Sequence, residues 1–282
     1  MGRARPGADA SVPLDDNLVH VAATVDGQLV SAVLDSGTGA LLLDRSLTGK
    51  LGIQMGPSPG NAAGGGATAQ AIFPVIVPKL DFGPIHLEQA NAVAMDTQAL
   101  STSAGFPVDV LLGRPLFAAR PIAVDYAARQ ISFFAPGSAP SCANPITFEL
   151  VNGVPVVPVT LRPARDTPPI TLRMIVDLGT RHFAAIIGGP FLDSGAGKAL
   201  AQSGTPQQVG TGAGGPVAGI LTHVDELSVA DMRYPNLSIA LTSHVAAFSM
   251  GFADGTLGVP LWSNGALTFD YAHRVLCLKA AP

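Results

Sequence analysis

The stretch QLVSAVLDSGTGALLL (residues 28–43) decides the fold, because the chain repeats its pattern in TLRMIVDLGTRHFAAII (residues 171–187). Each stretch is an apolar run that ends in Asp-x-Gly-Thr and is followed by a second apolar run. Repetition at a fixed spacing is the sequence signature of a repeated structural unit. The chain is therefore predicted to contain two copies of one unit.

Two further landmarks recur in the same order. The first copy continues with VDVLLGRPLFAARPIAVDYAARQISF (108–133) and the second with GTLGVPLWSNGALTFDYAHRVLCL (255–278). The Asp-x-Gly-Thr landmark is offset by 142 residues between the copies, and the apolar-Gly and Asp-Tyr-Ala landmarks are each offset by 145. Three ordered landmarks at a nearly constant offset indicate a duplication.

The pattern between the landmarks is typical of β-strands. The run LVHVAATV, the pair Asp26-Gly27 and the run QLVSAVL predict a hairpin, since Asp-Gly favours the tight turn that needs positive φ. The second copy has VPVVPVTL and ITLRMIV, joined by a longer loop at 165–169. We expect an all-β fold with short helices near 44–51 and 198–203, neither of which has a convincing capping residue.

Composition excludes several function classes. The net charge is -4, and the 16 basic residues are scattered, so no surface for nucleic acid is expected. No apolar run reaches the roughly 18 residues of a membrane span. The six histidines do not cluster at the spacing of metal ligands, so no metal or other cofactor is expected.

The two Asp-x-Gly-Thr motifs have a chemical logic. A carboxylate at the end of a buried strand is costly unless hydrogen bonds surround it. Gly37 lets the backbone turn back towards Asp35, and Thr38 can donate its hydroxyl to the same carboxylate. Asp177, Gly179 and Thr180 repeat this arrangement.

With these motifs the chain resembles the pepsin and retropepsin group of aspartic peptidases over nearly all of residues 17–280. In that group an apolar-apolar-Gly segment crosses behind each aspartate loop, matched here by 111–113 and 256–258. The resemblance implies a two-lobed acid protease fold with pseudo-twofold symmetry. The expected division is a flexible N-terminal tail (1–16), an N-terminal lobe with Asp35 (17–136), an interlobe connection (137–153) and a C-terminal lobe with Asp177 (154–282).

The resemblance also implies an aspartic endopeptidase. Asp35 and Asp177 would share one proton and activate a water that attacks a peptide bond, as is established for such dyads. The hydroxyls of Thr38 and Thr180 would stabilise the charged form and move the working range towards acid. The partner would be a polypeptide substrate, and a monomer would suffice because one chain carries both aspartates.

One position departs from the family pattern. Leu178 stands where the family has Thr or Ser, whose hydroxyl bonds the opposite loop; Ser36 can make such bonds from its side only. This departure motivates an alternative function, a catalytically silent pepsin-fold protein that binds a peptide or a partner protein. A competing motif, Asp193-Ser-Gly-Ala, lies outside the repeat register and follows a poor strand, so Asp177 is preferred as the second aspartate.

Glycine-rich stretches follow each aspartate. The family covers its cleft with hairpin flaps, and the candidates for these flaps are Gly64, Gly65 and Gly66 in the first copy and Gly212, Gly214 and Gly215 in the second. The alternative is a pair of flexible surface loops.

Cys142 and Cys277 bear on localisation. They are either two buried thiols or one disulfide. The resemblance brings the connection and the terminal strand together beneath the lobes, which favours the disulfide. We therefore expect a periplasmic or secreted protein, with a signal peptide removed from the sequence shown.

Overall fold

The computed structural model describes residues 8–11, 14–15, 17–58, 60–62, 65–66, 68–245, 248 and 250–279. The strands of its first half are β1 (Ala8–Ser11), β2 (Leu14–Asp15), β3 (Leu18–Val25), β4 (Gln28–Leu34), β5 (Leu41–Asp44), β6 (Gly60–Ala62), β7 (Gln70–Phe82), β8 (Ile85–Met95), β9 (Val110–Leu112), β10 (Ile122–Asp125) and β11 (Gln130–Phe133). The short helices of this half are α1 (Arg45–Leu51), α2 (Gln98–Ala104) and α3 (Arg114–Ala119).

The second half is built in the same way. Its strands are β12 (Pro145–Thr147), β13 (Glu149–Val151), β14 (Val154–Arg162), β15 (Ile170–Val176), β16 (Ala185–Ile187), β17 (Thr205–Gly212), β18 (Gly215–Val229), β19 (Met232–Leu241), β20 (Gly255–Leu257), β21 (Ala266–Asp270) and β22 (Val275–Lys279). Helix α4 spans Gly195–Ser203, and 3₁₀ segments span Gly189–Asp193 and Val259–Leu261. The all-β fold class is confirmed.

The repeated sequence forms two eight-stranded sheets with the same strand order. The first is β2-β3-β4-β9-β5-β8-β7-β6 and the second is β13-β14-β15-β20-β16-β19-β18-β17. Each also has one further pairing, β3 with β7 and β14 with β18. The same apolar patterns and turns therefore produce the same arrangement twice, while the pseudo-twofold symmetry itself stays a prediction.

A third sheet joins the two halves. Its order is β1-β11-β10-β21-β22-β12, so hairpins from both copies pair side by side. At the central pairing Val124 lies opposite Leu267, and both side chains are buried. A hydrophobic cluster extends from Val19 in the first copy to Leu276 in the second. Burial of this apolar surface is the main term that stabilises the fold.

The segment 1–16, predicted to be a flexible tail, contains two short strands among its described residues, and the division into domains stays a prediction. Strand β1 pairs with β11, and strand β2 pairs with β3. The connection 137–153 likewise contains β12 and β13, which hold the equivalent sheet positions in the second copy. An edge strand leaves a row of unpaired backbone groups, and an added strand satisfies them.

Both predicted short helices are present, but the expectation that they lack caps is wrong. The Asp44 carboxylate accepts a hydrogen bond from the Ser46 N–H at 2.8 Å at the start of α1. The Ser194 hydroxyl accepts one from the Gly197 N–H at 3.0 Å at the start of α4. Asp and Ser are favoured at this position because they satisfy N–H groups that have no partner within the helix.

The predicted hairpins lead towards the two motifs. The β3–β4 turn is Asp26-Gly27, with φ of 49° and 78°, and the β14–β15 loop covers 165–169 as predicted. Strand β4 then runs parallel to β9, and β15 runs parallel to β20. Asp35 therefore follows the point where β4 and β9 end together, and Asp177 follows the point where β15 and β20 end together.

Candidate active site

Each motif aspartate lies directly after a buried strand and is attached to the neighbouring strand. The Asp35 N–H donates to the Leu112 carbonyl at 3.1 Å, and the Asp177 N–H donates to the Leu257 carbonyl at 3.0 Å. These partners belong to the two apolar-apolar-Gly segments that the sequence assigned behind the loops. The same backbone attachment therefore orients both aspartates.

The two carboxyl groups receive equivalent hydrogen bonds. Asp35 Oδ1 accepts from the Gly37 N–H at 2.8 Å, and Asp35 Oδ2 accepts from the Thr38 hydroxyl at 2.7 Å. The Gly179 N–H and the Thr180 hydroxyl donate to the two oxygens of Asp177, each at 2.8 Å. Such donors favour the ionised form of a carboxyl group.

The two aspartates meet across the halves of the chain. A Cβ atom at Gly37 would lie 2.4 Å from Asp177 Oδ1, and one at Gly179 would lie 3.2 Å from Asp35 Cγ. Each motif glycine is therefore packed against the other motif's carboxyl group. A side chain at Gly37 would displace the Asp177 carboxyl group, and a Cβ atom at Gly179 would be in tight contact with both carboxyl groups.

This closeness changes the acidity of Asp177. Burial, followed by the negative charge of Asp35, raises the pKa of Asp177 to about 7, against the lowering by the Thr180 and Gly179 hydrogen bonds. The Thr180 hydroxyl lowers the pKa of Asp177 as expected, but burial and the Asp35 charge have the larger effect. Two such close carboxyl groups titrate as a pair, so the proton belongs to both.

Ser36 connects the two loops, as the sequence predicts. Its hydroxyl donates to the Val176 carbonyl at 2.8 Å and accepts from the Leu178 N–H at 3.1 Å. Leu178 is fully buried in the main hydrophobic cluster. At this motif position the second loop therefore contributes the apolar packing of Leu178, whereas the first loop contributes the hydrogen bonds of Ser36.

The two glycine-rich stretches contact each other beside the cleft that contains the aspartates. The Gly65 carbonyl accepts from the Gly214 N–H at 3.0 Å, and Gly66 forms a bridge with Gly214. Gly212 packs on Gly65, and Gly215 closes the β17–β18 hairpin opposite Gly212. Gly64 lies outside the described residues. Gly65 and Gly212 also line the cleft that contains the aspartates, while the role of the two stretches as flaps stays a prediction.

The cleft that contains both aspartates has a volume of about 720 Å³. Its walls are mainly apolar, with Leu42, Met95 and Leu111 from the first copy and Ile186, Phe183 and Phe248 from the second. Asp193 is not among the residues that line this cleft; it ends a 3₁₀ segment instead. A concave and mainly apolar space with a few polar groups is typical of a ligand-binding site.

Sequence reasoning missed several residues of this site. Arg181 and Phe183 line the cleft and lie within three residues after the second motif, so their closeness to Asp177 in the sequence could have indicated them. Phe248 lies in a segment with no recognisable pattern. Tyr126 lies near the aspartates, since burial and then the charges of Asp177 and Asp35 raise its pKa.

Cys142 and Cys277 form a disulfide, with 5.7 Å between their Cα atoms. Cys277 lies on β22, beside the edge strand β12. The aromatic residues Trp262, Phe117 and Tyr271 are buried in the core. Within the described residues, no group of three or more His, Cys, Asp or Glu side chains is placed to hold a metal ion.

Residues 21–116 match the family model described as aspartyl protease. The matched segment contains Asp35 and the β9 segment behind it, and the match supports an aspartyl protease family and peptide hydrolysis. No curated protein matches the chain. Among the described residues, no helix combines the length and apolar character needed to cross a membrane.

Proposed function

We propose that the chain is an aspartic endopeptidase in which Asp35 and Asp177 are the catalytic pair. The observation that carries this proposal is the mutual packing of Gly37 on Asp177 and of Gly179 on Asp35, which places the two carboxyl groups close together. The match of 21–116 to aspartyl proteases covers the first of these motifs. The second motif lies outside the matched segment, and we assign Asp177 to the pair because its hydrogen bonds are equivalent to those of Asp35.

The reaction follows from one proton shared by two carboxyl groups. The ionised carboxylate takes a proton from a water, and the water oxygen attacks the carbonyl carbon of the peptide bond. The protonated carboxyl donates to the carbonyl oxygen. When the C–N bond breaks, one hydroxyl of the tetrahedral diol returns its proton to the pair as its C=O bond forms, and the leaving nitrogen receives a proton from the pair, which ends singly protonated.

The substrate would lie in the cleft as an extended strand, with apolar side chains against the walls of the two lobes. The division into an N-terminal lobe (17–136) and a C-terminal lobe (154–282) belongs to this proposal. The hairpins that meet at Gly65 and Gly214 would open to admit the chain and close to exclude water. A single chain contains the whole site, so we propose that the monomer is active.

A periplasmic or extracellular location is part of the same proposal. Disulfides persist in oxidising compartments and are rare in the cytosol. The Cys142–Cys277 bond is the observation that supports this location.

The experiment is cleavage of a denatured protein mixture between pH 3 and pH 8. Wild type and Asp193→Asn should both produce peptide fragments, and Asp35→Asn and Asp177→Asn should not. The silent binding protein remains the alternative, motivated by Leu178. If none of the four proteins cleaves while all four bind peptide, the binding protein is the correct assignment.

A further inference from the structure

The hydrogen bonds of Asp177 extend through Thr180 to a further side chain, Thr256. The Thr180 hydroxyl donates to Asp177 Oδ2 at 2.8 Å, and its oxygen lies 3.2 Å from the hydroxyl oxygen of Thr256. Thr256 lies on β20, is buried and lines the cleft. A hydroxyl has one hydrogen to donate, and that of Thr180 is used on the carboxylate. The Thr256 hydroxyl is therefore the donor to Thr180.

The first copy has an apolar side chain at the position of Thr256. Leu111 on β9 and Thr256 on β20 hold the same register against the strand that leads to each motif. Leu111 is also buried and lines the cleft. In the first copy the Thr38 hydroxyl donates to Asp35 at 2.7 Å, and Leu111 has no hydroxyl that could donate to Thr38. The two motifs therefore differ in what stands behind the threonine.

A hydroxyl that accepts a hydrogen bond becomes a stronger donor. Hydrogen bonds in a chain polarise one another, and the low effective dielectric of a protein interior makes each bond stronger. The bond from Thr256 also occupies a lone pair of the Thr180 oxygen, which leaves the Thr180 hydrogen for the carboxylate. A stronger donor to a carboxyl group favours its ionised form. The Thr256 hydroxyl therefore stabilises the negative charge of Asp177 from a distance.

We infer that Thr256 is a positioning residue, which acts through the Thr180 hydroxyl to stabilise the ionised form of Asp177 and thereby sets the pH range of the catalytic pair. The inference rests on the proposed endopeptidase function. It concerns the second copy, because the equivalent Leu111 cannot make such a bond. The two aspartates therefore differ in their hydrogen-bonded support although their motifs are alike.

Other ionisable groups face the pair or β20, and they are the same in every variant of the test. Asp35 is the closest, since its negative charge is a cause of the raised pKa of Asp177. The others are Arg181 and His182 at the wall of the cleft, Tyr126 and Tyr271, whose pKa values are raised by burial and then by the aspartate charges, Arg114 near Tyr271, and Arg173 and Asp254, which are joined through the backbone beside β20. A difference between variants at position 256 therefore reports the hydroxyl.

The test is the pH profile of kcat/KM for one peptide cleaved by wild type, Thr256→Val and Thr256→Ser. Valine has the shape of threonine without the hydroxyl, and serine keeps the hydroxyl. The pKa of Asp177 is raised to about 7, so its ionisation forms the basic limb of the profile. Thr256→Val should move this limb to higher pH by about 0.3–0.6, because the bond to the carboxylate weakens. Thr256→Ser should retain the wild-type limb.

Leu111→Val is the matched control, because it trims the equivalent wall of the first copy without changing a hydroxyl. Both limbs of its profile should stay in place whatever its effect on KM. A shift of the acidic limb in Thr256→Val, in place of the basic limb, supports the role of Thr256 equally and assigns the first ionisation of the pair to Asp177. Unchanged limbs in Thr256→Val, or the same shift in Thr256→Ser or Leu111→Val, overturn the inference and leave the endopeptidase intact.

Melting temperatures show whether each variant is folded. Thr256→Ala removes the same hydroxyl with a smaller side chain and replaces Thr256→Val if that variant does not fold. If no peptide is cleaved, carbon NMR of the aspartate carboxyl groups follows the titration directly, with Asp177→Asn assigning the signal of Asp177. This signal should titrate at higher pH in Thr256→Val than in wild type, and equal titration in the two proteins overturns the role of Thr256.

Discussion

The backbone N–H of Leu178 donates to the Ser36 hydroxyl at 3.1 Å, and this bond joins the second aspartate loop to the first. The same hydroxyl donates to the Val176 carbonyl at 2.8 Å, so one side chain makes two bonds across the halves. A buried N–H or carbonyl that loses its partner costs free energy. Ser36 therefore makes two hydrogen bonds between the loops, whereas the side chain of Leu178, which has no hydroxyl, makes none.

Ser36→Ala should lower the free energy of unfolding by about 1–3 kcal/mol, because it leaves buried backbone groups of Val176 and Leu178 without these bonds. Denaturant unfolding measures this change. Ser138→Ala is the matched control, since its side chain is exposed. An equal effect in both variants would contradict the role given to Ser36.

The proposed closure of the two hairpins can be blocked by a single methyl group. At Gly212 a Cβ atom would lie 2.0 Å from the Gly65 carbonyl oxygen, whereas at Gly210 it would meet nothing within 4 Å. We expect Gly212→Ala to lower kcat/KM by about 10²-fold, because displaced groups lose productive geometry. Gly210→Ala should retain the wild-type kcat/KM.

Equal kinetics of the Gly212→Ala and Gly210→Ala enzymes would show that the two hairpins do not close during turnover. Thermal unfolding of both variants serves as the control for folding. The substituted residues lie in the same hairpin, so a general effect of replacing glycine there would appear in both.

The stability of the protein should depend on the ionisation of Asp177. Its pKa is raised from 3.8 to about 7 in the fold, so the folded state binds more protons than the unfolded state between these values. The contribution of this group to stability is therefore largest below about pH 4 and falls as pH rises through 7. Asp177→Asn should lose this dependence.

Unfolding free energies of wild type and Asp177→Asn at several pH values measure this effect. The stability of the variant relative to wild type should increase between pH 4 and 7 and then level off. Asp35→Asn should weaken the dependence, because it removes the charge that is the second cause of the raised pKa. A difference between wild type and Asp177→Asn that is constant with pH would contradict the assignment.

The disulfide should contribute to stability and be present in the untreated protein. Cys142 and Cys277 are 135 residues apart in the chain, and cross-links that close long loops restrict the unfolded state. Cys142→Ser should lower the free energy of unfolding by about 2–5 kcal/mol. Mass measurement after alkylation checks the bond, and two alkylated thiols without prior reduction would reject it.

The sequence predicts the parts of this structure that local chemistry determines. The Asp26-Gly27 turn needs positive φ, and the duplicated Asp-x-Gly-Thr motifs need a buried strand, a close backbone N–H and a hydroxyl. All of these features occur at the predicted residues. The duplication also predicts that both motifs have the same surroundings.

Features that depend on contacts between distant segments were beyond sequence reasoning. The pairing of Ala8–Ser11 with β11 joins two segments that are far apart in the sequence. Arg181 reaches Ser103 across 78 residues of sequence, and the raised pKa of Asp177 depends on the depth of its burial. Neither the Arg181–Ser103 hydrogen bond nor the burial of Asp177 leaves a periodic or compositional pattern in the sequence.

The most direct test of the catalytic pair is a double-mutant cycle on peptide cleavage. The values of kcat are measured for wild type, Asp35→Asn, Asp177→Asn and the double variant, with Asp193→Asn as the control. Residues that act as one unit show strongly non-additive losses. The account predicts that each single variant loses at least about 10³-fold and that the double variant is no worse; losses that add, or a single variant that retains activity, would contradict it.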